Sequence, residues 1–393
     1  MEGPIMIYSM TDKESRDILK ALTRSPKKVK NRTMSSENQE NLVLERSDQE
    51  NRMSSASAMG EYQNTQSHPV YSAISFINGQ INRMDLNDLK QKCKQNNLDC
   101  HGKREAVKRR LKEYYKAQKL IEAGLLEPSV NRNVDYFVVI DFEATCEERN
   151  PPGYQHEIIE FPAVLVSSAD PPHIVDIFHA YCKPTINPKL SEFCRTLTGI
   201  EQSLVDGSQT FSEVHQQFQV WLHEKHQCGT KYSYSIVTDG PFDMGRFLFL
   251  QTQHLRAEYP DYGLYWVNLR KCFANFYKGD FYSSTSSHQK LPGLQDMLYS
   301  LEMEFQGQPH SGLDDARNIA RVLIRLISDR AFVRTNEKIV LTGNRNAHPT
   351  PHNYHARLQS VTAVTRKEAE AIYKSQKQAK NSFKEQDALQ ADA

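Results

Sequence analysis

The chain has 393 residues, enough for two or three domains, and a content of 38% hydrophobic and 9% aromatic residues supports a sizeable core. Its net charge of +1 conceals local asymmetry, and its seven cysteines are scattered without a paired framework, which argues against a disulfide-stapled secreted scaffold and for a reducing cytosol or nucleus. No apolar run is long enough to span a bilayer and the opening MEGPIMIYSMTDKESRDILK lacks the apolar core of a secretory signal, so no membrane association is expected.

Residues 1–75 are rich in Ser, Asn, Gln, Glu and Met with little periodic apolar content, and are expected to be disordered. A basic helical module follows at 76–120. Asp85 is placed to cap a helix in which Leu86, Leu89 and Cys93 share a face; Asn96 and Asn97 turn the chain, and His101 and Gly102 precede a second helix with Val107, Leu111 and Tyr114 spaced for burial. From 90 to 119 there are eleven Lys or Arg against three acids, a net of +8. Such a surface attracts a polyphosphate backbone, with Lys103, Lys108, Arg109, Arg110 and Lys116 as candidate contacts. A solvated helix face or a nuclear-import patch would read the same way. Cys93, Cys100 and His101 lack the second cysteine pair that a zinc site needs.

A third region, 132–332, holds both tryptophans and most of the long apolar runs. Its first strand is Phe137, Val138, Val139 and Ile140, continuously apolar as in a strand buried on both faces. Side chains alternate along a strand, so Asp141 and Glu143 at its end share one face while Phe142 takes the other. Alone, such a pair is an ordinary acidic strand end. Further strands are expected at 158–166, at 174–181 and before Thr238, the two early ones alternating poorly, as suits a sheet covered on both faces. Beyond Thr238 a Gly-Pro turn leads to a helix with Phe247, Leu248 and Leu250. Either Asp239 or Asp243 could serve as an acidic ligand there; Asp243 is favoured because it opens the helix, whereas Asp239 shapes the turn.

The last apolar stripe, Ile319, Val322, Leu323 and Leu326, predicts a helix over 314–327 with Asp315 at its start. His310 stands five residues before Asp315, beyond the Ser311-Gly312 turn. An imidazole of ordinary pKa, about 6.5, can take a proton near neutral pH. From about 340 the chain is polar, and 340–393 is expected to be a flexible tail in which 361–383 forms a lysine-rich helix or stays loose.

Asp141, Glu143, Asp243, His310 and Asp315 together resemble the DEDD superfamily of 3′-to-5′ exonucleases, and the histidine five residues before the last aspartate resembles its DEDDh branch. The tyrosine branch would place Tyr where Ser311 stands. The resemblance implies an α/β, ribonuclease H-like domain with a central mixed sheet flanked by helices. It implies that Asp141, Glu143, Asp243 and Asp315 hold two Mg²⁺ ions, with Mn²⁺ able to substitute, and that His310 is the general base. It further implies that Glu143, the Ala144 backbone and His310 seat the terminal nucleotide and that Phe242 packs on a base.

The helical module resembles a SAP domain. SAP ahead of such a nuclease, with CEERNPPGYQHEIIEFPAV, LTGI and PHSGLDDARNIA, is similar to the Eri-type 3′-to-5′ exoribonucleases, the family of the 3′ histone mRNA exonuclease. That similarity covers roughly 76–340 and implies removal of nucleoside 5′-monophosphates from structured RNA: the histone stem-loop, ribosomal RNA 3′ ends, and small interfering RNA duplexes with short 3′ overhangs. Arg110 and Lys116 match the basic positions that grip the stem. The histone stem-loop binding protein and ribosomes are implied partners, and cytoplasm and nucleus or nucleolus the implied locations. The family often has Trp where this chain has Phe242. A DNA 3′-exonuclease and a non-catalytic RNA-binding adaptor are the competing readings.

Overall fold

The computed structural model describes residues 68–126, 134–278 and 291–342, and the backbone of 355–360. Three helices come first: α1 (Pro69–Arg83), α2 (Leu86–Gln95) and α3 (Arg104–Glu122). The Asp85 carboxylate caps α2 by accepting from the Asp88 N–H at 2.9 Å, and Asn97 takes the left-handed turn at φ 54° that ends it. Ile81, Leu89, Cys93, Val107 and Leu111 form the small core between the helices. α1 was not foreseen. It begins inside the stretch expected to be disordered, because Val70, Ile74, Ile77 and Ile81 recur at helical spacing, the first two and Ile81 buried, and Ile77 and Ile81 joining the core shared with the other helices. Residues 1–67 lie outside the described residues.

The larger unit is built on β1 (Tyr136–Ile140), β2 (Glu143–Ala144), β3 (Ile158–Ser167), β4 (His173–Tyr181), β5 (Tyr234–Thr238) and β6 (Tyr265–Asn268). β1 runs antiparallel to β3 and parallel to β5, β5 runs parallel to β6, and β4 lies on the far side of β3. The sheet is therefore mixed. Alternation along β1 works as the sequence implies: Phe137 and Val139 join one buried cluster, Val138 and Ile140 the other. The first face is covered by α10 (Gly312–Ser328), whose Ile319, Ala320, Val322, Leu323 and Leu326 pack on it. The second is covered by α6 (Phe211–Gln219) and the turn after it, through Phe211, Phe218 and Trp221. β3 is buried throughout, but β4 is exposed or half-buried along its length, since it is an edge strand rather than one covered on both faces.

The sheet also extends further than 332. β7 (Glu337–Thr342) pairs with β6, and β8 (His355–Ser360) pairs antiparallel with β7 over six residues. The expected flexible tail from 340 is thus corrected at 340–342 and 355–360, where the β-branched run around the buried Ile339 continues the sheet. The possible helix over 361–383 lies outside the described residues. No helix among the described residues is long and apolar enough to cross a membrane.

Candidate active site

The acidic cluster begins at an interruption in the sheet. Ile140 pairs with Ala163 and Glu143 with Glu160, a single continuous register against β3. That register sets Asp141 opposite Pro162, which has no N–H to give, and the ladder lapses there. Asp141 and Glu143 keep the parity of Phe137 and Val139, so they face α10, while Phe142 packs into the opposite cluster.

α10 delivers the third acid. Asp315 sits in its first turn, and the carboxylate oxygens of Asp141, Glu143 and Asp315 lie within 4.8 Å of one another. The helix start is fixed by Glu160, buried in β3, whose carboxylate accepts from the Gly312 N–H at 2.9 Å and the Leu313 N–H at 3.1 Å and meets His179 Nε2 at 2.8 Å. A carboxylate on free N–H groups at a helix start is favoured by both hydrogen bonding and the helix dipole. Glycine is needed at 312, since a Cβ there would lie 2.8 Å from the Asp141 carbonyl oxygen.

Asp243 opens a π-helical turn, Asp243–Leu248, that precedes α7 (Phe249–Leu255). It is buried, and its Oδ1 accepts from the Phe142 N–H at 2.9 Å, tying it to the loop between Asp141 and Glu143. Asp239 is engaged elsewhere, with Arg270 Nε at 2.8 Å. Of the two acids that the sequence left open, Asp239 has the cationic partner. Asp243 forms no salt bridge among the described residues, and its carboxylate accepts from the Phe142 N–H instead.

Four acids so close repel one another. Burial and its neighbours Asp243, Asp315 and Glu143 push the Asp141 carboxyl well above the usual carboxylate range. Glu143 is pushed well up by burial and by Glu160, Asp315 and Asp243. Asp243 and Asp315 are both pushed up to about 7, burial being the main cause for each. Hard oxygen donors crowded at this density fit divalent cations, which would neutralise the charge that burial penalises.

His310 stands at the surface beside the cluster, in the left-handed conformation at φ 66°, with its N–H donating to Asp315 Oδ2 at 2.8 Å. The protein around it holds its imidazole below the usual value. Phe242 is half-buried next to Asp243, and Ala144 is buried in β2. Sequence reasoning missed Glu160 and Arg270. A single Glu inside the apolar run IIEFPAVLV was the available signal for the first, because an acid there demands partners.

The basic candidates divide. Lys103 and Lys116 are exposed at α3, the first with its Nζ 3.0 Å above the Tyr299 ring and the second 3.4 Å from Glu113. Lys108 pairs with Glu105, and Arg109 pairs with Glu113 at 2.8 Å while lying over the Phe276 ring. Arg110 is not on the surface. It is 3% exposed and salt-bridged through Nε to Asp329 at 2.7 Å, so the expectation that it grips RNA is corrected. It lies on the apolar face of α3 with Ala106, Val107 and Leu111, and this face turns inward.

The family model described as Exonuclease matches residues 138–323, and that of the SAP domain matches residues 80–116. The 3′-5′ exoribonuclease 1 of Rattus norvegicus is 41% identical over 324 residues, covering 82% of this chain and 89% of that protein. Its Homo sapiens counterpart is 45% identical over 274 residues, covering 70% of this chain and 75% of that protein. A solved structure described as 3′-end specific recognition of histone mRNA stem-loop by 3′-exonuclease aligns with TM-score 0.51 and 41% identity, over 76% of this chain and 94% of that one. A full-length 3′-exonuclease crystal structure aligns with TM-score 0.51 and 40% identity, over 75% and 88%.

Proposed function

This chain belongs to the Eri-type 3′-to-5′ exoribonuclease family, a SAP domain followed by a DEDDh exonuclease domain, and from that premise we propose which residues do the work and on which RNA. The enzyme is a phosphodiester hydrolase acting on RNA, so the DNA-exonuclease and adaptor alternatives are not favoured. Family membership carries divalent-metal use with it. The ion we propose is Mg²⁺, two per site with Mn²⁺ able to replace it, held by Asp141, Glu143, Asp243 and Asp315. Held by these carboxylates, divalent ions would supply Lewis-acid chemistry, lowering the pKa of an attacking water and offsetting charge on the phosphate and leaving oxygen.

The chain's own side chains supply the rest. His310 accepts the proton of the attacking water on its imidazole, which its lowered pKa keeps neutral and able to do so at and somewhat below neutral pH. Its backbone bond to Asp315 holds it next to the acids. Glu143 and the Ala144 backbone seat the terminal nucleotide, and Phe242 packs against its base. The product is a nucleoside 5′-monophosphate. The substrate we favour is the histone stem-loop, on the strength of the solved 3′-exonuclease whose description names that RNA. Ribosomal RNA 3′ ends and small interfering duplexes with 3′ overhangs present related termini. Stem-loop binding protein and ribosomes are the corresponding partners. Cytoplasm and nucleus, including the nucleolus, are the corresponding compartments, consistent with the free cysteines.

The carrying observation is the convergence of Asp141, Glu143 and Asp315 within 4.8 Å beside His310. Purified protein with Mg²⁺ should shorten a stem-loop RNA from its 3′ end faster than DNA of the same sequence; the substrate reading is abandoned if DNA is cut faster. His310→Ala should lower kcat by roughly 10²- to 10⁴-fold. For wild type, the acidic limb of the kcat profile governed by this group should lie below the ordinary histidine pKa, because the protein around the ring strips part of its solvation and disfavours the charged form; a limb above 6.5 would contradict His310 as base. Phe242→Ala should raise KM on a short RNA by about tenfold while leaving kcat nearly constant, as expected for loss of one base–aromatic stack. An unchanged KM would mean that Phe242 serves the core instead.

A further inference from the structure

The buried Arg110 has a set of partners that an RNA-binding side chain would not have. Its guanidinium donates through Nε to Asp329 at 2.7 Å and through Nη1 to the carbonyls of Asp99 at 2.6 Å and His101 at 2.8 Å. Asp329, at the end of α10, accepts in turn from the Tyr277 hydroxyl at 2.9 Å, and Arg325 of α10 pairs with the Asp99 carboxylate. The loop that leads into α3 is fastened as well. Gly102 N–H donates to Glu302 Oε2 at 3.1 Å, Lys103 N–H to the Ser300 carbonyl at 2.9 Å, and Lys90 Nζ reaches Glu302 at 2.8 Å. Ala106 belongs to the nuclease core itself.

These contacts join the SAP unit to α8 (Leu269–Tyr277), α9 (Leu294–Ser300) and α10, the helix whose other end carries Asp315. A buried ion pair contributes little net stability once desolvation is counted, and its best attested use is to fix a register. Arginine suits that use, because its planar fork holds several acceptors in one geometry.

We propose that Arg110 is a positioning residue for substrate selection: with Asp329 it locks the SAP unit to the nuclease, so that the distance between basic helix and acidic site fixes where trimming of a structured 3′ end stops. The proposal rests on the reading that a base-paired RNA lies on α3. A rigid spacing turns two weak attachments into one, since a stem held at α3 presents its 3′ strand at a set reach from Asp141. When the remaining single strand is too short to bridge that reach, cutting ceases.

The test uses the full chain, a stem-loop RNA with a 3′ single-stranded extension and an unpaired RNA of equal length, with products resolved to single nucleotides. Arg110→Met and Asp329→Asn should both blur or displace the end-point on the stem-loop and raise its KM by roughly tenfold, while the unpaired RNA is degraded as by wild type. If Arg110→Met alone weakens stem-loop binding and Asp329→Asn does not, Arg110 touches RNA and the proposal is overturned. It is equally overturned if both variants keep the wild-type end-point. A wild-type enzyme with no defined end-point on the stem-loop removes the substrate reading and this proposal together, an outcome distinct from the other two. Should Arg110→Met fail to fold, Glu302→Gln loosens the same attachment from its exposed side and must move the end-point in the same sense.

Discussion

Replacing Asp141 by Asn is expected to reduce nucleotide release from a 3′-labelled RNA by at least about a thousandfold, equivalent to roughly 4 kcal/mol of lost transition-state stabilisation. The side chain keeps its volume and loses its charge. Asp141 is the acid on which the others converge, for Asp243, Asp315 and Glu143 all raise its pKa. Removing its charge therefore weakens the attraction for cations at the centre of the cluster rather than at its edge. The same substitution relieves repulsion among the remaining acids, so the folded protein should be no less stable than wild type without metal. Loss of activity with an unchanged or higher melting temperature in chelator is the combined signature. A variant that retains even a tenth of wild-type activity would show that Asp141 is dispensable for metal binding.

The second large effect is on stability against pH. Asp243 and Asp315 have folded pKa values near 7, against an ordinary 3.8. A group whose pKa is raised on folding favours the folded state while protonated. That contribution is complete below about pH 4 and is lost as pH climbs through 7. In chelator, the melting temperature should therefore fall by on the order of 5 °C or more between pH 5 and pH 8. Mg²⁺ should reverse the trend, with its stabilising effect growing as pH rises, because cations bind the ionised carboxylates. Calorimetry with and without chelator across that window decides it. A flat or rising curve in chelator would mean that burial does not hold these carboxyls in the protonated form.

These expectations lean on parts of the chain that differ in how openly they show themselves. Phe137 to Ile140 and the stripe from Ile319 to Leu326 declare their structure locally, through an unbroken apolar run rich in β-branched residues and through helical spacing, and both carry acids at one end. α1 carried a comparable spacing, but its polar surroundings masked it. Arg110 was legible as a cation and not as a buried one, although its position three residues after Val107 and four after Ala106 puts it on the face that turns inward. Glu160 reaches across 152 residues to the start of α10, and no local pattern encodes a partner at that distance. The pairing of β8 with β7 is hidden in the same way, since the polar HARLQS gains its place from the strand beside it.

The close approach of Gly312 to the Asp141 carbonyl bears on how such an enzyme can diversify. A position that tolerates a single residue carries no information about substrate; it can only be kept or lost. Mutation is thereby channelled away from the junction of strand and helix and onto positions without such close approaches, such as the exposed Lys103 and Lys116 at α3. Chemistry inherited intact can in this way be readdressed to new RNAs by changes that never touch it.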